Sequence, residues 1–584
     1  MTILYNSIVK QVNHKIILFI IFIIAASLRL VGLNWDQGHH LHPDERFLNM
    51  TIHDIKLPVS FSEYLDPKIS PLNPRNHNRN FFVYGNAPIT FNKVITTTFG
   101  RKTLHEIALT GRVLSALADL LIILVIYKTV LLLERNINHP KLFIPSHTKL
   151  WACIVYALLV LPIQQSHFFT VDTFLNLFIF TSFYFSLNYF FNKKLIMLVF
   201  SAIFSGLAIS SKISGLFILP LNTLFLFLAH WQNKHHDHQL KKQLINPFFV
   251  LLAFVLITYF SLRLTSPYLF ENSNILNPQV STEFINNLRE LKSWEGSDVW
   301  FPPAIQWINR GITFGFKNMI LFGIGVFASI YTFVGIFYVT KDISQLLKNK
   351  KILIKGIVLS STLVWITFFL IYYALQFVQS IRYYLILYPF FAVFAGLGIV
   401  QLLKKVKLKL AGTILIILSL IIWPLMFISI YVQPHSRIKA SEWIFQNIPP
   451  GSYLLTEHWD DALPLNLNGQ QDQYYFHQLP VFFPDHEQKW QELEQNFSKA
   501  DYYILSSNRA LGSIVRVPEK YPLMSQFYQD LLSGRTQFEL VAEFNSYPSL
   551  EYLSIPITFD DSWAEEAFSV YDHPQVLVFR NSLK

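Results

Sequence analysis

Apolar residues in this chain are gathered into long blocks, near 17–32, 107–133, 151–166, 174–191, 195–211, 215–231, 248–264, 312–339, 357–377, 384–402 and 411–431. Their lengths approach the roughly 20 residues needed to cross a bilayer's hydrocarbon core. The pattern predicts a polytopic α-helical membrane protein with about eleven transmembrane helices. Between the first two blocks, residues 34–106 are too long for a simple connector and mix Pro, Asn and aromatics; within them 86–98 is expected to lie along the interface. Residues 265–310 carry Trp294, Trp300, Phe301 and Trp307, which suit an interfacial belt. After Tyr431 the chain turns acidic and polar. Runs at 452–456, 502–506 and 576–579 read as strands, and 439–447 and 488–497 as helices. Two parts follow: a membrane part over 1–431 with a large first outer loop, and a mixed α/β domain over 432–584.

Basic residues orient the spans, because cytoplasmic loops retain Lys and Arg during insertion. Alternate loops are basic: Arg135, Lys141 and Lys149; Lys193 and Lys194; Lys234, Lys241 and Lys242; Lys341, Lys348, Lys350, Lys351 and Lys355; Lys404, Lys405, Lys407 and Lys409. This places the N-terminus in the cytoplasm and, after an odd number of spans, the α/β domain outside an integral plasma-membrane protein of the cell envelope. Lys10 and Lys15 before the first block resemble the start of a signal peptide, but the later spans favour an uncleaved anchor.

Composition agrees: 52% of residues are hydrophobic and 14% charged, against roughly 25% charged in soluble domains. The net charge of +10 is spread over short loops rather than along a groove interleaved with aromatics, so nucleic acid is not an expected partner. Cys153, the single cysteine, allows no intramolecular disulfide and reads as a small buried apolar residue.

The densest chemistry lies just beyond the first block: His39, His40, His42, Pro43, Asp44, Glu45 and Arg46. A carboxylate there can take the proton of an acceptor hydroxyl as a bond to carbon forms; the competing reading is a solvated loop with a helix-capping Asp. The histidines and acids also leave open a divalent cation at the acidic site, although no metal ligand set is assigned. Asp172, in the run from Gln164 through His167 to Thr173, stands where a span begins; an ionisable group beside hydrocarbon is a functional candidate, with a plain N-cap as its rival. Three cations sit near outer helix ends, Arg112, Lys212 and Arg382, and together suit an anionic lipid-phosphate headgroup. Snorkelling to the interface is the alternative for each. Asp119 pairs with a neighbouring cation in the simplest reading. His42, His167 and Tyr84 are candidate acceptor or site-lining groups.

In order and sidedness these elements resemble the GT-C superfamily of polyprenyl-phosphate-dependent glycosyltransferases, especially the protein O-mannosyltransferase and aminoarabinose-transferase type. The resemblance rests on His42-Pro43-Asp44-Glu45, on Asp172, on Ser211-Lys212-Ile213-Ser214-Gly215, and on Arg382-Tyr383-Tyr384-Leu385 with Pro389. Ser70 to Pro74 and Phe82 to Pro88 add to it. It implies that Asp44 is a general base, that Glu45 orients it or the acceptor, that Asp172 completes the acidic site, and that Lys212 and Arg382 contact the donor phosphate. The family's usual Pro after Tyr-Leu is Ile386 in this chain. The implied reaction is inverting transfer of a sugar from a polyprenyl-phosphate lipid donor to a protein, lipid or glycan acceptor.

Two other readings stay open. A transporter or flippase would use the same charges along a substrate or proton path near the bilayer midplane. A noncatalytic glycan-binding membrane protein would work through its acidic tail, where Trp459 beside Glu457, Asp460 and Asp461 could stack on a sugar. The turn 571–576 reads as a feeder for the last strand, with no catalytic assignment. There is no G-x-G-x-x-G unit for a nucleotide-sugar enzyme.

Overall fold

The computed structural model describes residues 2–139, 142–231, 246–298, 301–348, 354–467 and 469–584. Lys141, Lys234, Lys241, Lys242, Trp300, Lys350 and Lys351 lie outside the described residues. The chain opens with α1 (Thr2–Leu30) and then a structured loop bearing α2 (Pro43–Asp54), α3 (Phe61–Leu65) and α4 (Ala87–Thr98). α5 (Leu104–Asn136), a short ladder β1 (Asn138–His139) and β2 (Leu142–Phe143), α6 (Thr148–Ala157), α7 (Val160–Ser166), α8 (Asp172–Asn192), α9 (Leu195–Ser211), α10 (Leu219–Trp231) and α11 (Pro247–Thr265) follow. A second loop segment carries α12 (Thr282–Ser293) and α13 (Pro302–Ile305). The remaining bundle helices are α14 (Phe314–Asn318), α15 (Val326–Lys348), α16 (Ile354–Ala374), α17 (Tyr388–Lys405) and α18 (Lys409–Val432).

Among the described residues eight helices are long and apolar enough to cross a membrane, or nine if α6 and α7, bent by 55° at Leu158–Leu159, form one broken span. This is an integral membrane protein. The expected span at 151–166 is that broken pair, and the expected interfacial segment 86–98 holds the twelve-residue α4, with Phe91 and Val94 exposed. Of the expected aromatic belt, Trp307 turns inward and is buried, and Trp294 packs between Phe81 and Phe301.

Lipid offers little drive for helices to associate, so close packing has to supply it. α15 and α17 meet through glycine: a Cβ on Gly398 would stand 2.1 Å from the Tyr331 carbonyl oxygen. One buried charge in the apolar part is held by an opposite one. Arg29 Nε is 2.6 Å from Asp119 Oδ2, both fully buried, and Tyr156 donates to the same carboxylate at 2.6 Å. The pairing expected of Asp119 is therefore met, as the cost of an isolated charge there requires.

After α18 come α19 (Ser436–Asn447), β3 (Tyr453–Glu457), β4 (Tyr475–Leu479), α20 (Glu487–Lys499), β5 (Tyr502–Leu505), α21 (Arg509–Ile514), α22 (Pro522–Leu532), β6 (Phe538–Phe544), α23 (Glu566–Ser569) and β7 (Val576–Asn581). The strands form one mixed sheet in the order β4-β3-β5-β7-β6, parallel around β3 and antiparallel around β7. Alternate residues serve two cores, as strand geometry dictates. Leu454, Ile504 and Val578 join the core continuous with the bundle, whereas Leu455, Tyr503 and Phe579 pack a second core under α20 and α22.

The sheet domain is bolted to the end of the bundle that carries the α2–α4 loop. Asp572 accepts from Tyr431 at 2.6 Å and from Gln164 at 3.0 Å. His573 lies between Asp572 and Asp561, at 2.5 and 2.9 Å, all three buried. Burial disfavours the imidazolium, but the flanking carboxylates push its pKa up to about 10, so the cluster holds a protonated histidine.

Candidate functional site

The site begins at the N-terminus of α2. His42 is its N-cap: Nδ1 accepts from the Glu45 N–H at 3.3 Å, and Pro43 occupies the first turn, where no N–H is needed. The acceptor role puts the imidazole proton on Nε2. Burial lowers the His42 pKa to about 4, keeping the ring neutral where it packs between Phe168 and Tyr571, with centroids 4.6 and 4.3 Å away.

The helix turn then separates the two adjacent acids. Glu45 points inward, fully buried, and takes two hydrogen bonds from Arg112, both 2.8 Å, with a third from the Phe169 N–H at 3.0 Å. Arg112 spends its other donors on Asp36, at 2.8 and 2.9 Å, and on the Leu33 carbonyl at 2.7 Å; it is 1% exposed. Arg112 therefore has no donor left for the lipid phosphate expected of it. Glu45, expected to orient Asp44 or the acceptor, is turned inward and holds the start of α2. Asp36, not singled out in the sequence, completes this buried triad, and Arg112 holds its carboxyl well below the usual range against the opposing effect of burial.

Asp44 points the other way, its side chain 29% exposed. Arg382 Nη1 donates to Asp44 Oδ2 at 2.5 Å, and Arg382 Nε lies 3.9 Å from Asp172 Oδ2. Lys212 Nζ closes the row at 2.8 Å from Asp172 Oδ1. Two acids and two cations, drawn from four distant segments, thus alternate in one partly open cluster. Burial raises the Asp44 pKa, but the charge and hydrogen bond of Arg382 chiefly oppose this and hold it at about 2.

Local structure explains each position. Asp172 is the first residue of α8, yet the cap position is Val171 and no side-chain cap bond forms there, so the Asp172 carboxylate is turned to the cations instead. Lys212 is the extended residue ending α9 before the 3₁₀ turn Ile213–Ile218. Its ammonium sits 4.8 Å from the centre of the Tyr383 ring. Gly85 brings the first loop onto that turn: its N–H donates to the Ser211 carbonyl at 3.1 Å, and a Cβ would come within 1.9 Å of the Ser210 oxygen. Tyr84, next to it, is under the influence of Asp44, Arg382 and Asp172. Burial and the acids raise its pKa well above the phenol value, so it stays a donor.

His167 is not in the cluster. It is fully buried, its ring nitrogens face the Ile163 and Val31 carbonyls, and it stacks on Tyr431 at 3.7 Å. The α/β domain contributes instead. Tyr571 covers His42, Asp461 pairs with Arg46 at 2.8 Å, and Glu565 receives hydrogen bonds from Ser380 and Ile381 beside Arg382. No motif in the sequence marks Tyr571 or Glu565, because each acts on a partner more than 180 residues away.

The acidic pair does not suit a divalent cation as it stands. The space between Asp44 and Asp172 holds the Arg382 guanidinium, and among the described residues no three His, Cys, Asp or Glu side chains converge as a ligand set.

Residues 94–265 match the family model of dolichyl-phosphate-mannose-protein mannosyltransferases. That stretch runs from α4 through α11 and contains Asp172 and Lys212. No curated protein matches the sequence. Among solved structures, the chain is similar to the oligosaccharyltransferase of Archaeoglobus fulgidus tethered to an acceptor peptide containing the NVT sequon, with a TM-score of 0.51 at 12% identity over 97% of this chain and 88% of that one. The apo form of the same enzyme gives a TM-score of 0.50 at 13% identity over 93% and 75%. ArnT from Cupriavidus metallidurans aligns over 99% and 98% at 12% identity, with a TM-score of 0.41. The chain shares the fold of the Archaeoglobus fulgidus oligosaccharyltransferase, and residues 94–265 carry mannosyltransferase family sequence, in line with the resemblance read from the sequence.

Proposed function

We propose that this protein is an inverting GT-C glycosyltransferase that moves a sugar from a polyprenyl-phosphate lipid to a hydroxyl on an extracytoplasmic protein, lipid or glycan. The observation that carries this reading is the Asp44–Arg382–Asp172–Lys212 row at the outer-loop end of the bundle. The mannosyltransferase match over 94–265 supports a polyprenyl-phosphate donor. The orientation that goes with it has a cytoplasmic N-terminus and eleven spans, reached by adding α1 and the seventeen-residue α9 to the nine counted from helix length and apolarity.

The isoprenoid tail stays in the bilayer while its phosphate binds Arg382 and Lys212. A phosphate leaving group needs charge stabilisation more than protonation, which these cations provide. Drawing Arg382 toward the phosphate removes the partner that keeps the Asp44 carboxyl weakly basic, while its burial remains, so donor binding turns Asp44 into a better base. Asp44 then takes the acceptor hydroxyl proton, the oxygen attacks the anomeric carbon, and the bond from that carbon to the phosphate oxygen breaks with inversion. Asp172 keeps Lys212 and Arg382 on one side of the donor.

A transporter would place its charges near the midplane. In this protein they stand at one end of the bundle beside the α/β domain, which favours catalysis at that face. The test is transfer of radiolabelled sugar from a polyprenyl-phosphate donor in proteoliposomes. Asp44→Asn should lose roughly 100-fold or more, in line with general-base contributions. Full transfer by correctly folded Asp44→Asn protein rejects the assignment.

A further inference from the structure

The segment that carries Arg382 has no cap of its own. Ser380 precedes the 3₁₀ turn Ile381–Leu387, but its hydroxyl makes no bond to that turn. The missing acceptor comes from the α/β domain: Glu565 Oε1 accepts from Ser380 Oγ at 2.7 Å and Oε2 from the Ile381 N–H at 2.9 Å. Glu565 is 1% exposed, and its own N–H is fixed by Asn318 Oδ1 at 2.8 Å. Gln379, on the other side of Ser380, accepts from the Gly315 N–H at 3.2 Å. Gln379, Ser380 and Ile381, the three residues before Arg382, are therefore held from outside their own helix.

A buried carboxylate is costly, and a neutral side chain would cap a turn at lower cost. Arg382 lies close enough to act electrostatically on Glu565, although burial dominates and raises the carboxyl pKa to about 7. Glu566, the next residue, is held by Arg509 at 2.7 Å, and Arg509 also donates to the Trp459 carbonyl, so Glu565 is fixed to the body of the sheet domain.

We infer that Glu565 is a positioning residue of the active centre, through which the α/β domain sets the Ser380–Arg382 turn and aims the Arg382 guanidinium between Asp44 and the donor phosphate. This rests on the reading of Arg382 as a phosphate ligand. It makes the domain part of the catalytic apparatus, and so the domain's docking is a condition for donor binding.

The experiment uses the full-length protein in nanodiscs, with polyprenyl monophosphate as the probe and hydrogen exchange over 380–385 as a second readout. Glu565→Ala should speed exchange at Ile381 and weaken probe binding roughly tenfold, the scale of lost charged hydrogen bonds. Glu565→Gln, which keeps one acceptor oxygen, should fall between Glu565→Ala and wild type, and it covers the case in which Glu565→Ala fails to fold. In an Arg382→Ala background, Glu565→Ala should have no further effect on binding. Equal weakening in both backgrounds, or faster exchange with unchanged binding, overturns the positioning role while Arg382 stands. Unchanged binding in Arg382→Ala alone removes the phosphate reading, and the role of Glu565 in it falls as well.

Discussion

Arg382 joins Asp44 to Asp172, with its Nη1 2.5 Å from one carboxylate and its Nε 3.9 Å from the other. A guanidinium in that place both neutralises the acids and keeps them on one cluster, so its removal has consequences for each.

The first concerns pH. Asp44 has its folded pKa depressed to about 2, so the stabilisation from its pair with Arg382 is complete above the ordinary carboxyl value of roughly 4 and is lost as pH falls through about 2. Arg382→Gln leaves burial unopposed by its nearest cation and moves this carboxyl upward. The acid limb of kcat/KM, which reports the free enzyme, should therefore shift to higher pH in Arg382→Gln; an unshifted kcat/KM limb contradicts the pairing. His42, neutral above about pH 4, should add no step near 6.5 in wild type.

The second concerns Glu45. Its replacement by Ala leaves Arg112 buried with only Asp36 as a charge partner. Breaking a buried pair in this way costs about 3–5 kcal/mol. Thermal unfolding in detergent should show a clear loss for Glu45→Ala. Asp44→Ala, whose side chain is more exposed, should lower the unfolding temperature less than Glu45→Ala while losing transfer.

A backbone contact supplies the third. Gly85→Ala forces a methyl group against the Ser210 carbonyl and displaces the turn that ends in Lys212. Transfer should fall at least tenfold with helix content unchanged by circular dichroism, a drop equivalent to about 1.4 kcal/mol. Normal activity in Gly85→Ala speaks against the loop-to-turn contact.

The fourth is metal dependence. Because Arg382 and Lys212 already balance Asp44 and Asp172, the row needs no added cation to approach a phosphate. Wild-type transfer should persist after dialysis against EDTA. Recovery that requires an added divalent ion would mean that a metal, and not Arg382, meets the phosphate between the two acids.

Sequence alone determined the solvent of each segment, because hydropathy over twenty residues is a local property that needs no partner. It also marked β3, β5 and β7, whose apolar runs are buried. It missed β4 and β6, edge strands with mostly exposed or half-exposed side chains and so no apolar run to detect. Asp44, Asp172, Lys212 and Arg382 were legible as charges at span ends. Which way each one faced was not. Asp44 and Glu45 are neighbours in sequence, yet one turn of α2 sends Glu45 to Arg112 and Asp44 to Arg382. Only packing could decide that, since a helix fixes the angle between adjacent side chains while the surrounding elements fix what each one meets. The same holds for Glu565 and Tyr571, whose partners are brought near solely by the docking of the sheet domain on the bundle.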